Sequence, residues 1–162
     1  ERGISVLIDK DDKNRPGFKF AEYEMKGIPV RIGLGKRDIE NNQCEVARRD
    51  TKEKMPFGLD NIGEQISVLL DDIQENLFAR AKSYRAEHTS EASNMAEFVD
   101  ILDNKGGFVV AHWDGTTETE LKIKEETKAT IRCIALDALE EEGTCIYSGK
   151  KSTKKVIFAR AY

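Results

Sequence analysis

The chain is short of nearly everything that would staple, anchor or unwind a small protein. It has three cysteines, Cys44, Cys133 and Cys145. Three cannot all pair with one another, and their irregular spacing fits reduced cytosolic thiols better than a disulfide framework. Proline and glycine are too scarce for a disordered linker protein. No apolar run approaches the length of a membrane span, and the polar, basic N-terminus is no signal peptide. The expectation is a cytoplasmic protein with no membrane partner. With 39% apolar and only 7% aromatic residues, its 162 residues suit one ordinary domain or two small ones with modest cores.

Histidine is also rare. His88 and His112 are the only two, and neither has a serine or cysteine nucleophile nearby in sequence, so no hydrolytic triad is evident. Cation excess is missing too, since the net charge is −4. The charges are unevenly placed, however. Arg31, Lys36, Arg37, Arg48, Arg49, Lys52 and Lys54 face only five acids between residues 31 and 54. A local cation excess in an acidic chain can mark a phosphate-binding face. A solvated, ion-paired surface is the plain alternative.

Patterning predicts the elements. "ISVLI" at 4–8 reads as a buried strand, continuous and β-branched. "FKFAEYEMKG" gives an amphipathic helix stopped by Gly27, and "IPVRIGLG" and "QCEVARR" give two further strands. Such a strand–helix–strand unit argues α/β with a mixed sheet. Ile62, Ile66, Leu69, Ile73, Leu77, Ala81 and Tyr84 form one stripe on a long helix at about 60–88. Asn94 with Glu97, and Thr117 with Glu120, read as capping pairs opening two more helices. "FVVAHW", "ATIRCIAL" and "KVIFARA" complete the second half as strands.

"GLGKRD" at 33–38 is half of a dinucleotide fingerprint, but Asp38 replaces the third glycine and would repel a pyrophosphate. A strand end turning so that Lys36 and Arg37 project outward fits better, and Arg37 with Asp38 could form a hydrogen-bonding edge for a base. Phe20 and Glu24 lie one helical turn apart, with Arg31 on the next strand. An aromatic plate beside a carboxylate and a guanidinium suits an unstacked nucleotide base. A core phenylalanine beside an ordinary ion pair suits those residues equally well. "EEGTCIYSGKK" has the outline of a metal knuckle, with Cys145 in place and Ser148 where a second thiol would stand. Cys133 and His112 add donors but not at knuckle spacing.

Several strings agree at once. "NRPGFKFAEYEMKGIPVRIGLGKRDIENNQCEVARRDTKEK" resembles the anticodon-binding domain of the prolyl-tRNA synthetase family, in its archaeal and eukaryotic-like version. "LDDIQENLFARAKSYRAEHT", "KEETKATIRCIA", "EEGTCIYSGK" and the terminal "VIFARAY" are similar to that family's zinc-binding-like C-terminal domain. The resemblance implies a class II anticodon-binding domain over 1–62, lacking its first strand and helix, then a small α+β domain over 63–162.

By position the resemblance implies anticodon contacts from Phe20, Glu24, Arg31, Arg37 and Lys52, with Lys54 a rival to Lys52. It implies the anticodon loop of proline tRNA as partner. The family's catalytic domain, with its ATP and Mg, is a second partner, and intact enzymes of the family are homodimers. The chain alone would then be inactive, and the sheet edge left by the missing strand would need a cover. Family members holding zinc use four cysteines, which here fall on Trp113, on Glu118 or Thr119, on Cys145 and on Ser148. One thiolate cannot hold structural zinc, so a zinc-free domain is expected, with Trp113 filling space. The family's chain-ending tyrosine is matched by Tyr162. The alternative function is a free-standing α/β module descended from this domain that docks to proteins.

Overall fold

The protein, seen as a computed structural model, is described over residues 3–136 and 138–161. It is a mixed α/β chain that divides into two compact units, residues 1–81 and 82–162.

In the first unit, Pro16 opens helix α1 (Pro16–Met25), where its fixed φ and missing N–H cost nothing. Gly27, at φ +83°, turns the chain out of the helix as its spacing predicts. Strand β1 (Val30–Gly33), the short helix α2 (Lys36–Glu40), and strands β2 (Gln43–Arg48) and β3 (Lys54–Gly58) follow. The three strands form an antiparallel sheet in chain order, so the mixed sheet expected here is absent from this unit's described residues. Helix α3 (Ile62–Glu87) then begins.

Alternation gives β2 two faces. Cys44 and Val46 point to one and are buried with Ile66, Leu69 and Ile73 of α3. That helix stripe is the periodic one read from the sequence. Ala47 lies opposite Arg31 of β1 on the other face. Burial beside the α3 residues also pushes the Cys44 thiol up, away from thiolate.

Residues 4–8 are the main departure. They form no strand, and Val6, Leu7 and Ile8 are exposed at 75%, 73% and 72%. Strand geometry needs a partner for the backbone N–H and C=O groups, and no described strand pairs with this segment. Only Ile4 packs on the core. Asp9 ties the segment's end to α1, accepting from Lys19 at 2.9 Å and from the Tyr23 hydroxyl at 3.1 Å.

The second unit carries a four-stranded mixed sheet, in the order β4 (Thr89–Glu91), β5 (Phe108–His112), β7 (Lys155–Arg160) and β6 (Ala129–Cys133). Strand β4 runs parallel to β5. Strand β7 pairs antiparallel with β5 and with β6. Between them lie α4 (Met95–Asp100), which continues as a π-helical turn over Ile101–Lys105, and α5 (Thr117–Thr127). Asn94 caps α4 as expected, accepting from the Glu97 amide at 3.0 Å. The α5 cap is Thr116 rather than Thr117, one residue early. Gly106, at φ +68°, ends the π-helical turn, and Gly107, at φ +82°, sits against the His88 carbonyl, where no Cβ fits. Phe98 and Phe158 meet edge to face at 5.2 Å in the core beneath the sheet.

Candidate nucleic-acid interface

On the Arg31–Ala47 face of the first sheet, α1 and the strands enclose a recess. Phe20, Tyr23, Glu24, Ile28, Arg31 and Arg49 line it. Helical spacing puts Phe20 and Glu24 on one side of α1, and the cross-strand register brings Arg31 up from β1 to meet them. The Arg31 guanidinium lies over the Phe20 ring, 3.5 Å from its centroid. This cation–π contact fixes both side chains as one flat plate.

Glu24 accepts a hydrogen bond from Lys52 at 2.6 Å. That bond, helped by the nearby charges of Lys52, Arg31 and Arg49, holds the Glu24 carboxyl below its usual range. Lys52 reaches it from the tight turn between β2 and β3, where its φ is +66°. Lys54 instead pairs with Glu45 at 3.1 Å, so the two lysines go to different acids. Four of the five residues singled out in the sequence, Phe20, Glu24, Arg31 and Lys52, therefore come together. Arg37 does not join them by any hydrogen bond or ion pair; it is exposed on α2. Asp38 turns back to accept from the Gly35 amide at 2.8 Å, so that oxygen is already used in capping α2.

Sequence reasoning counted Arg49 in the cation run but gave it no place among the anticodon contacts. Its signal was parity. It lies two residues after Ala47, and its amide extends the β1 contact by donating to the Pro29 carbonyl at 2.9 Å. Arg48 also borders the recess, but its guanidinium is engaged elsewhere. It donates twice to Asp50, at 2.8 and 2.7 Å, and pairs with Asp72 of α3 at 2.6 Å. Among the described residues, two buried side-chain nitrogens lack a hydrogen-bond partner, Arg31 Nη1 and Arg49 Nε. Both belong to residues of this recess.

The second unit's knuckle is closed by hydrogen bonds. The Cys145 amide donates to the Lys150 carbonyl at 2.8 Å, and Gly149, at φ +68°, returns to the Cys145 carbonyl at 3.1 Å. Cys145 is buried, and the Trp113 indole donates to the Thr116 carbonyl at 3.2 Å. Ser148 donates to Asp114 at 2.6 Å. The same carboxylate accepts from the Thr119 hydroxyl at 2.9 Å and from the Thr116 hydroxyl at 2.8 Å. Burial works against its charge, but the bonds from Ser148, Thr116 and Thr119 outweigh it and bring the Asp114 carboxyl down to about 2. The donor set does not fit tetrahedral zinc, because hydroxyls and an indole stand where thiolates are needed. No group of three or more His, Cys, Asp or Glu suited to a metal occurs among the described residues.

The first unit is similar to a class of protein module, the anticodon-binding domain. Residues 1–69 match the family model for that domain, and residues 95–162 match the one for the prolyl-tRNA synthetase C-terminal domain. The chain carries an anticodon-binding domain and the C-terminal domain of the prolyl-tRNA synthetase family. The proline–tRNA ligase of Porphyromonas gingivalis strain W83 is 55% identical over 99% of this chain and 32% of its own length. That of Prosthecochloris aestuarii is 56% identical over 100% of the chain and 35% of its own length. A crystal structure of prolyl-tRNA synthetase from Cryptosporidium parvum, complexed with L-proline and AMP, superposes with a TM-score of 0.89 at 30% identity. It is matched over 99% of this chain and 34% of that one. The chain thus spans about a third of the length of these relatives.

Proposed function

We propose that this chain reads the anticodon of proline tRNA within a proline–tRNA ligase. The observation that carries this is the recess itself, where donors without acceptors surround a stacking plate and an ionised carboxylate. Unpaired bases are recognised by stacking and by edge contacts. A base entering the recess stacks on the Phe20–Arg31 plate. The Glu24 carboxylate accepts from guanine N1–H and N2–H₂, donors that adenine lacks on that edge. Lys52 must first release Glu24. Exposed pairs of this kind contribute only about 0–1 kcal/mol, so exchange for a phosphate costs little. Arg37, exposed on α2, contacts the neighbouring base or the backbone. In this reading the anticodon-binding domain covers 1–62 and the domain over 63–162 is zinc-free.

The ligase's other parts follow from the same reading. ATP, Mg and proline belong to its catalytic domain, this chain supplies tRNA discrimination, and the intact enzyme is a cytoplasmic homodimer. Tyr162, at the chain's end, lies outside the described residues. The test is substitution. Arg31→Ala should weaken binding of a hairpin RNA carrying the proline anticodon by about 1–3 kcal/mol while leaving other hairpins unaffected. Arg37→Ala should do the same if it reads a base. An equal loss on all hairpins would make that arginine a phosphate contact.

A further inference from the structure

Beyond the contacts just proposed, and resting on that reading of the recess, we infer that Arg49 determines base specificity by donating to O6 of the guanine held on Glu24. Of the cations around this sheet, most are already used. Arg48 is saturated by Asp50 and Asp72, Lys54 is on Glu45, and Lys52 is on Glu24. Arg31 lies flat on Phe20 and comes no closer than 3.9 Å to Glu45.

Arg49 alone combines a place in the recess with a buried Nε that has no acceptor and no aromatic partner. A buried donor left unmade costs stability, so its retention beside a carboxylate points to an acceptor that arrives with a ligand. Its backbone is held by the hydrogen bond from its amide to the Pro29 carbonyl, which sets where the side chain starts at the edge of the recess. Glu24 presents acceptors only. The group that satisfies both at once carries two adjacent donors next to an acceptor, which is the Watson–Crick edge of guanine: N2–H₂, N1–H, then O6. Adenine puts an amino group where O6 would be and would meet Arg49 donor to donor.

The experiment is a double-substitution cycle. Binding is measured for the unaltered protein, Arg49→Gln and Arg49→Lys, at one fixed salt concentration. The probes are hairpin RNAs whose recognised anticodon position holds guanine, adenine or 2-aminopurine, which keeps the 2-amino group but lacks both O6 and the N1 proton. Arg49→Gln should weaken the guanine hairpin about 5- to 150-fold, and this penalty should nearly vanish on the 2-aminopurine hairpin. Arg49→Lys, which keeps the charge but loses the planar fork, should weaken guanine binding as well. The same penalty on guanine and 2-aminopurine, or full tolerance of lysine, would make Arg49 a phosphate contact and overturn the inference. No penalty in a variant whose melting curve shows it folded would overturn it too. If the unaltered protein fails to separate guanine from adenine, the anticodon reading fails first, and the inference with it.

Discussion

Alternation along β2 sends the Arg48 guanidinium to the acids of α3's side and leaves Arg49 at the recess, though the two are adjacent in the chain. The charge strip between 31 and 54 was visible in composition, but composition cannot say which cation is neutralised at home. Phe20, Glu24 and Arg31 were legible because helix spacing and the next strand fix them locally. Lys52 became distinguishable from Lys54 only through a tight turn with positive φ, which has no strong residue signature when lysine occupies it. Glu24 carries a prediction at this scale. Lys52 keeps it ionised, so hairpin binding should stay level from neutral pH down to the usual carboxylate range and weaken only below it, as the carboxylate protonates. Glu24→Gln should erase the preference for guanine and remove the acid-side fall. A preserved preference in a titration with guanine and adenine hairpins would remove Glu24 from base reading.

At the scale of elements, two carboxylates tie segments together. Asp50, in the turn after β2, has a side chain only 1% exposed; it holds Arg48 and accepts from Asn76 of α3 at 2.6 Å. The Arg48 bonds keep Asp50 well below the usual carboxylate range. Asp50→Ala leaves Arg48 paired with Asp72 alone and takes the acceptor from Asn76, so it should cost about 1–3 kcal/mol in urea unfolding. Asp114 plays the corresponding part in the second unit, joining the start of α5 to the knuckle. Its carboxyl falls from 3.8 to about 2 on folding. The stabilisation is complete above pH 4 to 5 and is lost as pH falls through about 2; it amounts to about 2 kcal/mol. Asp114→Asn should be less stable at pH 7 and should lose less stability than the unaltered protein between pH 5 and 2. Parallel acid-unfolding curves would contradict this.

These ties also mark the limit of what the sequence disclosed. The long helix and the Asn94 cap announced themselves through local periodicity and stereochemistry. Strand β3 carries Pro56 inside it and was not readable as a strand, since proline is confined to edges such as this one. Residues 4–8 had strand composition but no partner, and pairing is a non-local property that composition cannot supply.

For the whole molecule, one unit carries the recess around Phe20 and Arg31, and the other encloses a knuckle held by a carboxylate and hydroxyls. The knuckle's outline was legible in "EEGTCIYSGKK", whereas Asp114, the group that gathers Ser148 and Thr119, had no sequence signal of its own. The central claim is that the first unit distinguishes guanine in a proline anticodon. The most direct measurement is the affinity of the protein for a hairpin RNA bearing that anticodon, compared with one whose anticodon guanines are replaced by adenine. It should be run across a series of salt concentrations, because phosphate contacts dominate raw affinity. The account predicts tighter binding of the guanine hairpin by at least about tenfold, with the same salt slope for both. Equal affinities at every salt concentration would contradict it.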